Sequence, residues 1–87
     1  MKRNARKRSA IRLLRWVFQR DNQLLTCQLD REGRRSSYTL SLVPHWDVAH
    51  AAAETFEAGI SAFRRHAAIA DELRGQGWTL AAYTIGR

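Results

Sequence analysis

From Gln23 to Asp30 the chain alternates. Leu25, Cys27 and Leu29 share one parity and Thr26 and Gln28 the other, as in a strand with one buried and one wetted face. The run "SSYTLSLV" repeats the pattern, with Tyr38, Leu40 and Leu42 set against Thr39, Ser41 and Val43. Between the two lies "REGRR", whose Gly33 can take the positive φ of a tight turn. Upstream, "AIRLLRWVFQRD" is apolar on both parities, with Leu14, Trp16 and Phe18 on one and Ile11, Leu13 and Val17 on the other. The same letters fit a helix with Ile11, Leu14 and Phe18 about one turn apart. A strand is the preferred reading, because Trp, Val and Phe favour strands and "RDNQ" supplies an Asp-Asn turn into the next one. The three runs then form an antiparallel meander. Its wetted face carries Thr26, Gln28, Thr39 and Ser41, which are small and uncharged and can meet water or a ligand.

Pro44 closes the third strand, and from Val48 to Arg74 there is no proline and much alanine. This predicts one long helix of about 26 residues and nearly 40 Å. At 100° per residue Ala52, Phe56, Ile60, Phe63, Ala67 and Ala70 fall on one face, with Val48 and Leu73 flanking it. Glu54, Glu57, Arg64, Arg65 and Glu72 lie away from that face, and the small residues Ala51, Ala52, Ala58, Gly59 and Ala62 allow close packing. Gly75 or Gly77 ends the helix, and "WTLAAYTI" makes a last strand with Trp78, Leu80 and Ala82 on one face and Tyr83 and Ile85 on the other. The expected fold is α+β: a three-stranded antiparallel meander, one long helix and a C-terminal fourth strand, in the order βββαβ. A right-handed crossover would set the last strand parallel beside the first or the third. Because eight strand residues span only about 27 Å, such a helix must overhang, bend at Gly59 or pack on another chain. A homodimer through the Ala-rich helix or a sheet edge is therefore expected.

Charge adds a division of the chain. The first nine residues, "MKRNARKRS", hold five basic side chains and no acid, while the remaining 78 carry a net +2 of the total +7. The expected organisation is a basic flexible arm at 1–9 and a single domain at 10–87. Cys27, the one cysteine, cannot form an internal disulfide, which points to a buried thiol and a reducing cytoplasm. No apolar run reaches the roughly 20 residues of a membrane span, and no signal-peptide core precedes the first strand.

The segment "LVPHWDVAHAAAETF" gathers histidines and acids in a short space. On a helix, Asp47 would be the N-cap and His50 and Glu54 would face solvent as an i,i+4 pair, with His45 ahead of them. Zinc needs three or four convergent ligands, so no metal and no cofactor are expected here. His66 flanks the apolar stripe and reads as a partly buried side chain with a satisfied nitrogen. No phosphate loop, paired-cysteine motif or nucleophile beside a histidine appears, and Ser36 and Ser37 read as turn residues, so the reading is a non-enzyme. What remains is electrostatic. Lys2, Arg3, Arg6, Lys7 and Arg8 of the arm, with Arg31, Arg34 and Arg35 around the turn between the second and third strands, form a candidate phosphate-binding surface for DNA or RNA. Trp16, Trp78 and Trp46 are the aromatic residues that could add base stacking, Trp46 being the one expected at the surface.

Trp16, Phe18, Phe56, Phe63, Leu73, Gly77, Trp78 and Leu80 also carry a resemblance. The layout resembles that of small uncharacterised bacterial proteins with a Trp/Phe first strand, a short meander, an alanine-bearing helix and a closing Gly-Trp-Thr-Leu strand. The resemblance spans most of the chain and implies a fold, with no activity attached.

Overall fold

The computed structural model describes residues 10–32 and 37–85. They form one five-stranded sheet and one helix, in the order β1 (Ala10–Arg20), β2 (Gln23–Glu32), β3 (Tyr38–Pro44), a short 3-10 turn (Val48–His50), β4 (Ala52–Phe56), α1 (Gly59–Gly75) and β5 (Thr79–Ile85). The strand order is β4-β3-β2-β1-β5 and every pairing is antiparallel. The class is α+β, as the alternation of the first 44 residues implies. The first element is a strand, and Asp21, with φ of 56°, makes the two-residue turn into β2.

Two expectations are corrected. The helix does not begin at Val48: residues 52–56 form a strand on the edge of β3, with Tyr38 opposite Phe56 and Leu42 opposite Ala52. Alanine's helix preference is weak against the backbone hydrogen bonds that the bare edge of β3 offers, and Thr55 and Phe56 suit a strand. With β4 inserted, the last strand lies antiparallel beside β1 and not parallel to it or to β3, and α1 crosses the sheet between β4 and β5, which run the same way at opposite edges. The 17-residue helix is about 25 Å long, matched to the strands beneath it. The overhang that would have called for a second chain is gone.

The start of the helix is fixed by close approach, since a Cβ on Gly59 would sit 3.0 Å from the Tyr38 hydroxyl. Its end is a Schellman motif. The amide of Trp78 donates to Leu73 O at 2.9 Å, that of Gly77 donates to Arg74 O at 3.1 Å, and Gly77 holds φ at 95°. Leu73 and Trp78, the apolar pair of that motif, both join the core.

The helix lies over β2, β3 and β4. Phe18, Leu25, Cys27, Leu29 and Leu40 from the sheet meet Ala62, Ile69, Ala70 and Leu73 from the helix, with Phe18, Cys27 and Leu29 fully buried. The expected apolar stripe was rotated. Ile60 and Phe63 are 62% and 43% exposed, while Ala62, His66 and Ile69 face the sheet. The register shift between Arg12 and Leu14 turns Ile11 toward the helix side, since Ile11 then pairs with Arg31. A second shift, at Ala81, places Leu80 opposite Phe18 and Tyr83 opposite Trp16, so Leu80, Tyr83 and Ile85 share one face. The sequence alternation had split them between two.

Candidate nucleic-acid interface

Antiparallel pairing decides where the basic segments attach. Ala10 pairs with Glu32 at one end of the sheet, and Tyr38 pairs with Arg31 there. Thus the chain enters β1, and leaves β2 for β3, at the same pole. β5 points the same way, with Ile85 opposite Leu14. Lys2, Arg3, Arg6, Lys7, Arg8, Arg34 and Arg35 lie outside the described residues, whereas Arg31 is within them, half-buried in β2 beside Tyr38. Arg12, opposite Asp30, adds a second cation to the pole, and Asp30 and Glu32 temper the field.

The described residues hold seven arginines against eight acids, close to neutral, in a chain of net charge +7. All of the positive excess therefore belongs to residues 1–9, 33–36 and 86–87. These are joined to the body at Ala10, Glu32, Ser37 and Ile85, on one side of the molecule.

The aromatic residues are elsewhere. Trp46 is 52% exposed and stacks on buried Trp78 with ring centroids 6.0 Å apart, and the Arg20 guanidinium lies 4.7 Å from the Trp78 ring. This layered stack sits at the opposite pole, where the amide of His45 donates to Leu24 O. Eight strand residues separate Leu24 from Glu32, about 25 Å. Trp16 is half-buried beneath the helix, so neither it nor Trp78 offers a free ring face at the basic pole.

The cluster around Pro44 resolves differently from the helical reading. Asp47 precedes the 3-10 turn without a side-chain cap and instead pairs with His50 through Nδ1. Glu54, on β4, pairs with Arg65 of the helix at 3.2 Å and not with His50. No group of three His, Cys, Asp or Glu side chains able to hold a metal occurs among the described residues.

On the open sheet face His45 Nε2 and Thr26 Oγ1 share a hydrogen bond at 2.6 Å, over a shallow depression of about 400 Å³ lined by Arg15, Gln28, Val43 and Val48. Thr26 is therefore buried rather than wetted. Sequence reasoning missed the pair, because the proximity of residues 26 and 45 depends on the β2–β3 register, which puts Thr26 opposite Val43.

His66 is 3% exposed and packs edge-on to Trp16, with ring centroids 4.9 Å apart. Its Nε2 and the Trp16 Nε1 have no hydrogen-bond partner among the described residues, while the Cys27 backbone hydrogen-bonds the ring. Burial pulls the His66 pKa below its usual value, and the backbone of Cys27 opposes this in part. Burial also pushes the Cys27 thiol up to about 11, against the pull of the Arg65 charge. A thiol so protonated and enclosed is a packing element and no nucleophile.

No helix among the described residues is long and apolar enough to cross a membrane. The chain matches no protein-family model, no curated protein and no solved structure.

Proposed function

We propose that this chain is a small non-enzymatic binding domain that holds DNA or RNA by its phosphates, through the pole at which Ala10, Glu32, Ser37 and Ile85 lie. The observation that supports it is the separation of charge. A near-neutral body joins its strongly basic segments at one end, so their fields add. Arg12 and Arg31 extend that surface onto the sheet. With the Trp46–Trp78 stack some strand-length away, the mode is backbone contact without base stacking, hence insensitive to sequence.

Five to eight neutralised phosphates give a slope of about −4.5 to −7 in log affinity against log salt. The test is anisotropy titration of generic DNA and RNA at about 50 and 200 mM salt. The full chain is compared with a deletion of residues 1–9 and with an Arg34→Glu/Arg35→Glu variant. Both changes should weaken binding and flatten the salt slope, while binding that survives both would sink the proposal.

A further inference from the structure

The two edges of the sheet are unlike. β4 is five residues long and carries Glu54, which is tied to Arg65 of the overlying helix. β5 runs seven residues, "TLAAYTI", with no charge, proline or glycine, and every one of them is exposed. Natural sheet edges are ordinarily shielded by charged side chains, proline, shortness, a bulge or a covering element. β5 has only the bulge at Ala81, and its regular part beyond that, Ala82–Ile85, presents free backbone donors and acceptors. Tyr83 and Ile85, 62% and 72% exposed, stand on the helix side of this strand, and Leu80 joins them.

The helix does not reach them. Its flank toward β1 is marked by Arg74, whose guanidinium lies 5.8 Å from the Trp16 ring, and the opposite flank leans on β3 and β4. The strip over β5 is consequently apolar and, among the described residues, uncovered.

We infer that β5 pairs antiparallel with β5 of a second copy of this chain, about a two-fold axis at Tyr83, to give a continuous ten-stranded sheet with both helices on one face. Three observations select a second copy over another partner. The strand is uncharged, so pairing it with itself opposes no like charges. A register centred on Tyr83 keeps helix-side residues facing helix-side residues, so the Tyr83 and Ile85 side chains of the two chains form one strip. Antiparallel pairing also sends the two basic poles to opposite ends of the joined sheet, away from each other. Edge pairing buries only the free edge and part of the helix-side strip of a seven-residue strand, an area smaller than a standard specific interface. The association is accordingly reversible and concentration-dependent. It involves the sheet edge and not the helix, whose exposed Ile60 and Phe63 are interrupted by Arg64 and Asp71.

The experiment is sedimentation equilibrium of the full chain over a wide concentration range, alongside Tyr83→Lys, Thr55→Lys on the other edge, and the deletion of residues 1–9. Circular dichroism confirms that each variant is folded. The wild type should move from its 10.0 kDa monomer mass toward twice that value and stop there. Tyr83→Lys should raise the dissociation constant about tenfold or more, since two lysines would meet at the axis. Thr55→Lys and the arm deletion should leave it unchanged, which separates this inference from the nucleic-acid proposal. A wild type monomeric throughout, a mass that climbs past the dimer, or a Tyr83→Lys protein that dimerises as well as wild type would each overturn it.

Discussion

Acidification reaches one buried side chain in this fold, His66, and the consequence can be worked out. The ring is enclosed between α1 and β1, and its Nε2 has no partner among the described residues. The neighbouring polar atom without a partner, Trp16 Nε1, is itself a donor, so a proton added to the ring would find no acceptor there. Burial thus lowers the folded pKa beneath the ordinary 6.5. In the window between that lowered value and 6.5 the unfolded chain binds a proton that the folded chain refuses. Stability is therefore complete above 6.5 and is lost as pH falls through the window. One proton taken up on unfolding can cost at most about 1.4 kcal/mol between roughly pH 7.5 and 5.5. His66→Leu keeps an apolar contact against Trp16 and removes the titration. Urea denaturation followed by tryptophan fluorescence at those two pH values should show wild type losing more stability than the variant, by up to about 1.4 kcal/mol. His45 and His50 are present in both proteins and cancel. Equal losses, or a larger loss in the variant, would refute the reasoning.

Phe18→Ala empties a fully enclosed site near the end of β1 and should destabilise the protein by about 3 to 5 kcal/mol in the same assay, while a loss below about 1 kcal/mol would contradict the core described here. The Cys27 thiol, buried and with its pKa near 11, should resist a thiol reagent at neutral pH and react only as fast as the chain unfolds. Gly77→Ala forces a side chain into a φ of 95° and should lower stability by roughly 1 kcal/mol, read as a shift in the urea midpoint with unchanged slope.

The strands of the meander were legible because one face of each is buried and the other is not, which writes a period of two into Leu25, Cys27 and Leu29 and again into Tyr38, Leu40 and Leu42. Residues 52–56 were not. Their alanines and Glu54 suit a helix locally, and what made them a strand was the unpaired edge of β3, which a local pattern of residues 52–56 does not contain. Starting the helix too early rotated its stripe onto Ile60 and Phe63. The correct stripe was harder to see because one of its members is His66, which a hydropathy pattern does not count as apolar. The bulge at Ala81 likewise hid the shared face of Leu80, Tyr83 and Ile85. For the candidate interface the residues were readable from charge alone. Their common pole follows from the meander, since in hairpin-linked strands the start of the first and the turn after the second lie at the same end.

The strand order also fixes a sequence of events in time. β1 is made first and ends between two neighbours, yet only β2 follows it at once, and the other, β5, pairs Phe18 with Leu80. At synthesis rates of about 5 to 20 residues per second, the strand bearing Trp16 and Phe18 waits roughly 3 to 12 s with one flank unfilled. The strands made next, β2, β3 and β4, extend the sheet on the other side of β1 and leave that flank unpaired. Only α1, carrying the chain back over the sheet from one edge to the other, delivers the strand that closes the gap. Any delay in forming that helix prolongs the interval in which the nascent chain is most open to pairing with a stranger.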